Sequence, residues 1–370
     1  MASGAFNRIE PPPVVPGELS LFSEPARFGA GLHGVGEGTF AWQQPNGAWG
    51  ESNAGLVVGN GEAMLVDTLW DLRLTRTLLD AVRGVTDEPI RLLVNTHSDG
   101  DHVFGNELVT GAEIISTTTA ARLIAEENPG ALERFRQVGT GMAMIGALPI
   151  PGVGSLSIPR LPHVPMGPIG RYFRSMIEPY SFEGITVTAP TRTFDGQATL
   201  DVGGRQVRLL EVGPAHTPGD LMVFVDHAGV VFTGDILFVG VTPIVWAGPI
   251  ENWKKALRLL LDADVTTYVP GHGPVCGARE VQLLLDYWDW VTESGGALLD
   301  SGRGPRTAAR ELLESPGFRR CEWAHWDCPE RLLVNLVALH RERRGQAMDA
   351  SIPARVRLLA QAGILADAIA

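Results

Sequence analysis

The chain has 370 residues, 45% of them apolar and 19% charged, with a formal net charge of −12. That balance excludes a disordered chain, and at about 150 residues per domain the length fits two domains or one large one with additions. The acidic excess argues against a protein whose main work is gripping nucleic acid or an anionic membrane. Cys276, Cys321 and Cys328 are too few and too scattered for a disulfide framework and read as inert thiols in a reducing compartment. Cys321 and Cys328 flank His325 without the spacing of a zinc site. No apolar run reaches the roughly 18 residues that a membrane span needs. Residues 1–18 lack the basic and apolar regions of a secretory signal and read as a proline-rich arm, so the cytoplasm is the expected location.

The arm and the first strands fill residues 1–49. Residues 55–59 and 63–67, split by Asn60-Gly61, read as a β-hairpin. Leu72, Leu74, Leu78, Leu79 and Val82 recur at helical spacing, so a helix is expected from about Asp71 to Val82. A short buried strand at 91–95 runs into Thr96-His97-Ser98-Asp99-Gly100-Asp101-His102. Another strand at 112–116 precedes a helix from about 119 to 127. Residues 140–168 are rich in Gly, Pro, Met and Ile and nearly free of charge. Extended to 184, this insert reads either as a surface loop or as a lid over an apolar site. Strands return at 197–202, 206–212, 221–225 and 230–233, then a helix at 250–261 and a strand at 267–270. From 277 to 370 the pattern is helical. Leu332, Leu333, Leu336 and Leu339 share one face, Ser351 and Pro353 mark a helix start, and Gly363 reads as a stop.

Four places carry chemistry, each where a strand meets a loop: His97-x-Asp99-x-Asp101-His102, His216 in His-Thr-Pro-Gly-Asp220, Asp235 in Thr-Gly-Asp, and His272 in Gly-His-Gly. Imidazoles and carboxylates are the ligands that divalent metals want, and neighbouring glycines permit sharp turns. His33, His163, His227, His325 and His340 lack such spacing.

These residues resemble the metallo-β-lactamase fold superfamily over about residues 50–276, with Asp67 matching its early structural aspartate. The resemblance implies an α/β fold, an αββα sandwich with the metal site at one edge of its sheets, followed here by a C-terminal helical extension. It implies that His97 and His216 belong to a first metal and that Asp101, His102 and His272 belong to a second, with Asp235 bridging. The usual motif has a second histidine where Asp99 stands. One or two zinc ions are therefore expected, with iron or manganese open because Asp99 is a hard, anionic ligand.

Such a metal lowers the pKa of bound water to about 7 and supplies hydroxide at neutral pH. Asp101 is the candidate catalytic residue, orienting the nucleophile and handling its proton. The expected reaction is hydrolysis of an ester, lactone, thioester or amide bond in a bulky apolar small molecule. Tyr172, Tyr180, Thr242 and Trp246 are the candidate substrate-lining residues. The alternatives are a polyketide cyclase, thioesterase or lyase, an iron-dependent sulfur dioxygenase, and a non-catalytic metal-binding scaffold. The helical tail reads as an accessory layer or a homodimer surface.

Overall fold

The computed structural model describes residues 9–134, 136 and 166–370. Two sheets carry the ligand loops. The first holds seven strands in chain order: β1 (Gly31–Gly36), β2 (Thr39–Gln43), β3 (Ala54–Val58), β4 (Ala63–Val66), β5 (Ile90–Val94), β6 (Glu113–Thr117) and β7 (Arg192–Phe194). Pairing is antiparallel from β1 to β4 and parallel from β4 to β7. The second sheet has the order β12-β11-β10-β9-β8. These strands are β8 (Gln197–Val202), β9 (Arg205–Glu211), β10 (Leu221–Val225), β11 (Val230–Phe238) and β12 (Thr267–His272), with only β11 and β12 parallel.

Alternation along the strands divides the core into layers. Val57, Val66 and Val94 meet Leu209, Val223 and Val225 between the sheets. The opposite faces supply Leu56, Leu65, Leu93, Met222 and Phe224 to a second cluster shared with the helices. In that cluster stand α1 (Leu72–Arg83), α3 (Thr118–Glu126) and α5 (Ile250–Asp262). The helix α1 starts where its period predicts, with the Asp71 carboxylate accepting from Leu74 N–H at 2.8 Å. The short α2 (Gly100–Val103) lies between α1 and α3, and α4 (Met166–Ile177) precedes β7. Residues 140–165 of the expected apolar insert lie outside the described residues.

The tail forms α6 (Ala278–Trp290), α7 (Gly296–Asp300), α8 (Pro305–Glu314), α9 (Leu332–Glu342) and α10 (Ile352–Ile369). Leu332, Leu333, Leu336 and Leu339 are all buried. Gly363 does not stop the last helix, which runs on to Ile369. A Cβ at Gly363 would come within 2.7 Å of Tyr172 Cβ, so this glycine lets α10 lie close against α4. Among the described residues, no helix is long and apolar enough to cross a membrane.

Candidate metal centre and its cavity

The seven candidate ligands converge from four places in the two sheets. His97 follows β5, Asp99 precedes α2, and Asp101 and His102 lie within it. His216 occupies the turn between β9 and β10, Asp235 lies in β11, and His272 ends β12. The turn at His216 is held by Asp220, whose carboxylate accepts from Ala215 N–H, Thr217 N–H and the Thr217 hydroxyl. Gly271 is required beside Asp235, because a Cβ there would collide with Asp235 Oδ1.

Asp67, at the end of β4, organises two of the imidazoles. It sits at φ +62°, in the left-handed region. Its carboxylate accepts from Thr96 N–H and from the Thr96 hydroxyl, both at 2.7 Å, and from His102 Nδ1 at 3.1 Å. The Thr96 oxygen in turn accepts from His97 Nδ1 at 2.9 Å. His216 donates its Nδ1–H to the Ile244 carbonyl at 2.8 Å. Each of these bonds occupies Nδ1 and leaves Nε2 for the centre, as outer partners of metal-bound histidines do.

Three groups of ligand atoms lie within 4.8 Å of one another: His97–Asp99–His216, His97–His102–Asp235 and Asp101–His102–His272. His216 Nε2 is 3.1 Å from Asp99 Oδ2 and 3.2 Å from Asp235 Oδ2. His102 Nε2 is 3.1 Å from Asp235 Oδ1, and His272 Nε2 is 3.3 Å from Asp101 Oδ2. Ligands of a tetrahedral ion at bond lengths near 2.0–2.1 Å stand about 3.3 Å apart, so this spacing fits a shared cation. His97 Nε2, His102 Nε2 and Asp235 Oδ1 are buried and carry no hydrogen bond. Buried polar atoms are rarely left so, and a divalent ion would satisfy all three. The residues present therefore fit one or two such ions.

Burial opposes charge throughout this cluster, and mutual pairing decides the outcome. At His97 burial prevails, helped by His102 and His216, and the imidazole is lowered to about 4. At His216 burial is outweighed by Asp235 and Asp99, and the imidazole rises to about 9. His102 is likewise raised, against burial, by Asp235, Asp101 and Asp67. The Asp235 carboxyl is held well below its usual range because His272, His102, His97 and His216 outweigh burial. The carboxylates thus draw His102 and His216 toward their charged forms, a role that a bound cation would take over.

Asp99, the departure from the usual motif, has its own countercharge. Arg355 of α10 places Nη1 3.1 Å from Asp99 Oδ1, across 256 residues of sequence. Against the cost of burial, Arg355 and then His216 hold the Asp99 carboxyl below its usual range. The Arg355 guanidinium also lies 4.9 Å from the centre of the Trp246 ring.

A cavity of about 300 Å³ opens on this centre. Asp99, Asp101, His216, Asp235 and His272 face it, with His97 and His102 behind them. Its walls are Trp49 and Trp70, then Phe173, Met176 and Ile177 of α4, then Phe238, Ile244 and Trp246. Ile352, Arg355, Val356 and Leu359 of α10 close it, with Glu127 and Arg331. Half-buried Glu127 is pushed up to about 7 by burial and by Asp99.

Of the four lining residues expected from the sequence, only Trp246 lines the cavity. Tyr172 turns away to donate to Glu330, Tyr180 donates to the Trp49 carbonyl, and the Thr242 carbonyl accepts from Arg331. The helical tail is more than an accessory layer, since it builds a wall of the site. Periodicity carries no signal for that, because the wall arises only when α10 docks. The three thiols join no ligand group among the described residues, and burial pushes Cys328 up to about 12.

The chain is 24% identical over 239 residues to a linear primary-alkylsulfatase of Pseudomonas sp. (strain ATCC 19151), covering 60% of this chain and 42% of that protein. It is 28% identical over 105 residues to the 2,4-dinitroanisole O-demethylase subunit alpha of Nocardioides sp. (strain JS1661), covering 27% and 31%. It therefore spans less than half the length of these curated relatives. The solved stereoselective inverting sec-alkylsulfatase Pisa1 from Pseudomonas sp. shares the fold at a TM-score of 0.60 and 16% identity, over 88% of this chain and 51% of that one. The metallo-beta-lactamase superfamily model matches residues 47–272, a span that begins before β3 and ends on His272. With an αββα arrangement and the His/Asp cluster at the sheet edge, the chain belongs to the metallo-beta-lactamase superfamily.

Proposed function

We propose that the protein hydrolyses an ester-type bond in a small apolar molecule, with His97, Asp99, Asp101, His102, His216, Asp235 and His272 holding one or two zinc ions. The observation that carries this reading is the convergence of orphaned, buried ligand atoms on the floor of an apolar cavity. A divalent ion in such a site supplies a water acidified from 15.7 to about 7 and polarises the bond to be cut.

The chain's own residues do the rest. Asp67 and Thr96 fix the rings of His102 and His97, so the donor atoms need no rearrangement on loading. Asp101 faces the cavity, with Oδ2 3.3 Å from His272 Nε2. It orients the attacking water, takes its proton on a carboxylate oxygen, and returns it to the leaving group. Trp246, Phe173 and Leu359 exclude bulk water and accept the apolar body of the substrate. Ester, lactone, thioester and amide bonds suit this arrangement. The likeness to an alkylsulfatase adds sulfate esters to that class.

The test is metal analysis of the purified protein, with a hydrolysis screen on aryl esters, lactones, acyl thioesters, β-lactams and alkyl sulfates. Chelation should remove zinc and turnover together, zinc should restore both, and product should gain the mass of one water. Turnover that survives metal removal, or product that has lost water, would sink the proposal.

A further inference from the structure

Arg331 presents a problem of charge. It lies at the junction of a short 3-10 turn, Pro329–Arg331, with α9, and only 2% of it is exposed. Its guanidinium lies over the Trp49 ring, 3.7 Å from the ring centre, and Nη1 donates to the Thr242 carbonyl at 2.9 Å. Its Nε is buried without an acceptor. Among the described residues no carboxylate stands within 4.0 Å of it. Residues 1–8, 135 and 137–165, outside the description, contain no aspartate or glutamate to supply one. The adjacent Glu330 gives its carboxyl to the Tyr172 hydroxyl, and burial raises that carboxyl toward its neutral form.

A buried guanidinium without an anion is costly, and one aromatic face with one carbonyl compensates only part of the loss. Arg355 faces the same cavity, but its charge is taken by Asp99. Arg331 is thus a lining cation whose charge is left for a ligand. It also stands close to the ligand cluster. Its acceptor, the Thr242 carbonyl, is two residues from the Ile244 carbonyl that fixes His216, at most about 7 Å along the chain. Asn335 pins the same segment, donating to the Pro243 carbonyl and accepting from Val245 N–H.

We infer that Arg331 is an anion-binding residue of the cavity, and that the ligand is an apolar chain ending in a compact oxyanion such as a sulfate, sulfonate or carboxylate. The oxyanion meets the free N–H edge of Arg331, where planar donors suit such groups, and the chain lies along the walls of α4 and α10. The inference rests on the cavity being the substrate site, as proposed above, but not on which bond is cut.

The probes are n-octane-1-sulfonate, octanoate and 1-octanol, none with a bond to hydrolyse, titrated calorimetrically into the purified protein. The wild type should prefer both anions over the alcohol by about tenfold or more, the scale of one charge-assisted hydrogen bond. Arg331→Met should erase that preference and still bind 1-octanol, and Arg331→Lys should retain part of it. The inference fails if the wild type shows no preference, or if Arg331→Met keeps it, since the anion then sits on other groups. It fails equally if Arg331→Met loses 1-octanol as well, because Arg331 would then be structural. A hydrolysis screen without turnover would overturn the proposed reaction and leave this binding result intact.

Discussion

Two faces of one cavity are built in different ways. The sheet edge gathers its chemistry from short loops, above all the six residues from His97 to His102, and backs them with Asp67 and Thr96. The opposite wall borrows single side chains from helices far along the chain, as when Arg355 reaches Asp99 across 256 residues. The edge is polar and internally paired, so its geometry is set before any substrate arrives. The wall is mainly apolar and meets the edge at few polar points, chiefly where Arg355 pairs with Asp99. Under the proposed function, reaction type belongs to the first face and substrate choice to the second.

This division can be broken by mutation. The largest effect is expected from Asp235→Ala, which removes the carboxylate approached by His102, His216 and His272. Metal content should fall to background, with a turnover loss exceeding the roughly 100-fold that even outer partners of a metal can cost. Mass spectrometry of the metal would show whether that carboxylate is needed to hold it. Arg355→Ala tests the wall where it touches the edge. It should lower unfolding free energy by about 1.5–3 kcal/mol, as for a hydrogen bond between charged groups, and leave most of the metal bound. Complete metal loss in that variant would mean that the tail is part of the centre, and the division would fall.

The smallest effect lies inside the wall. Burial raises the Glu330 carboxyl from 4.5, so folding favours its neutral form. Below pH 4.5 both states are protonated and the group costs nothing. As pH rises above that value the unfolded chain releases the proton first, and native stability falls until the folded group ionises. Glu330→Gln should remove this decline in denaturant titrations compared across pH. An unchanged slope would show that Glu330 is charged in the folded chain.

The elements that short-range rules govern were readable early. Asn60-Gly61 marked the β3–β4 hairpin, and the leucine spacing marked α1 with its Asp71 cap. Strand β11 runs on to Phe238 rather than ending at 233, because its second half is buried on both faces and shows no alternation. Gly363 reads as a stop in the sequence but is none, since a glycine's local tendency gives no sign of the α4 side chain packed against it. Tyr172 and Tyr180 lie in the right segments but point elsewhere, and Thr242 does not line the cavity. For the two tyrosines, side-chain direction depends on hydrogen bonds to Glu330 and Trp49, both distant in sequence.

By itself the sequence marked the candidate ligands, because their spacing is written in short windows of residues, and their resemblance to a known superfamily implied the fold class. Only the tertiary structure decided that Arg355 neutralises Asp99, that Arg331 is buried without an anion, and that α10 closes the cavity. Those facts depend on which distant surfaces pack together, and a buried charge acquires its meaning only from neighbours that packing supplies.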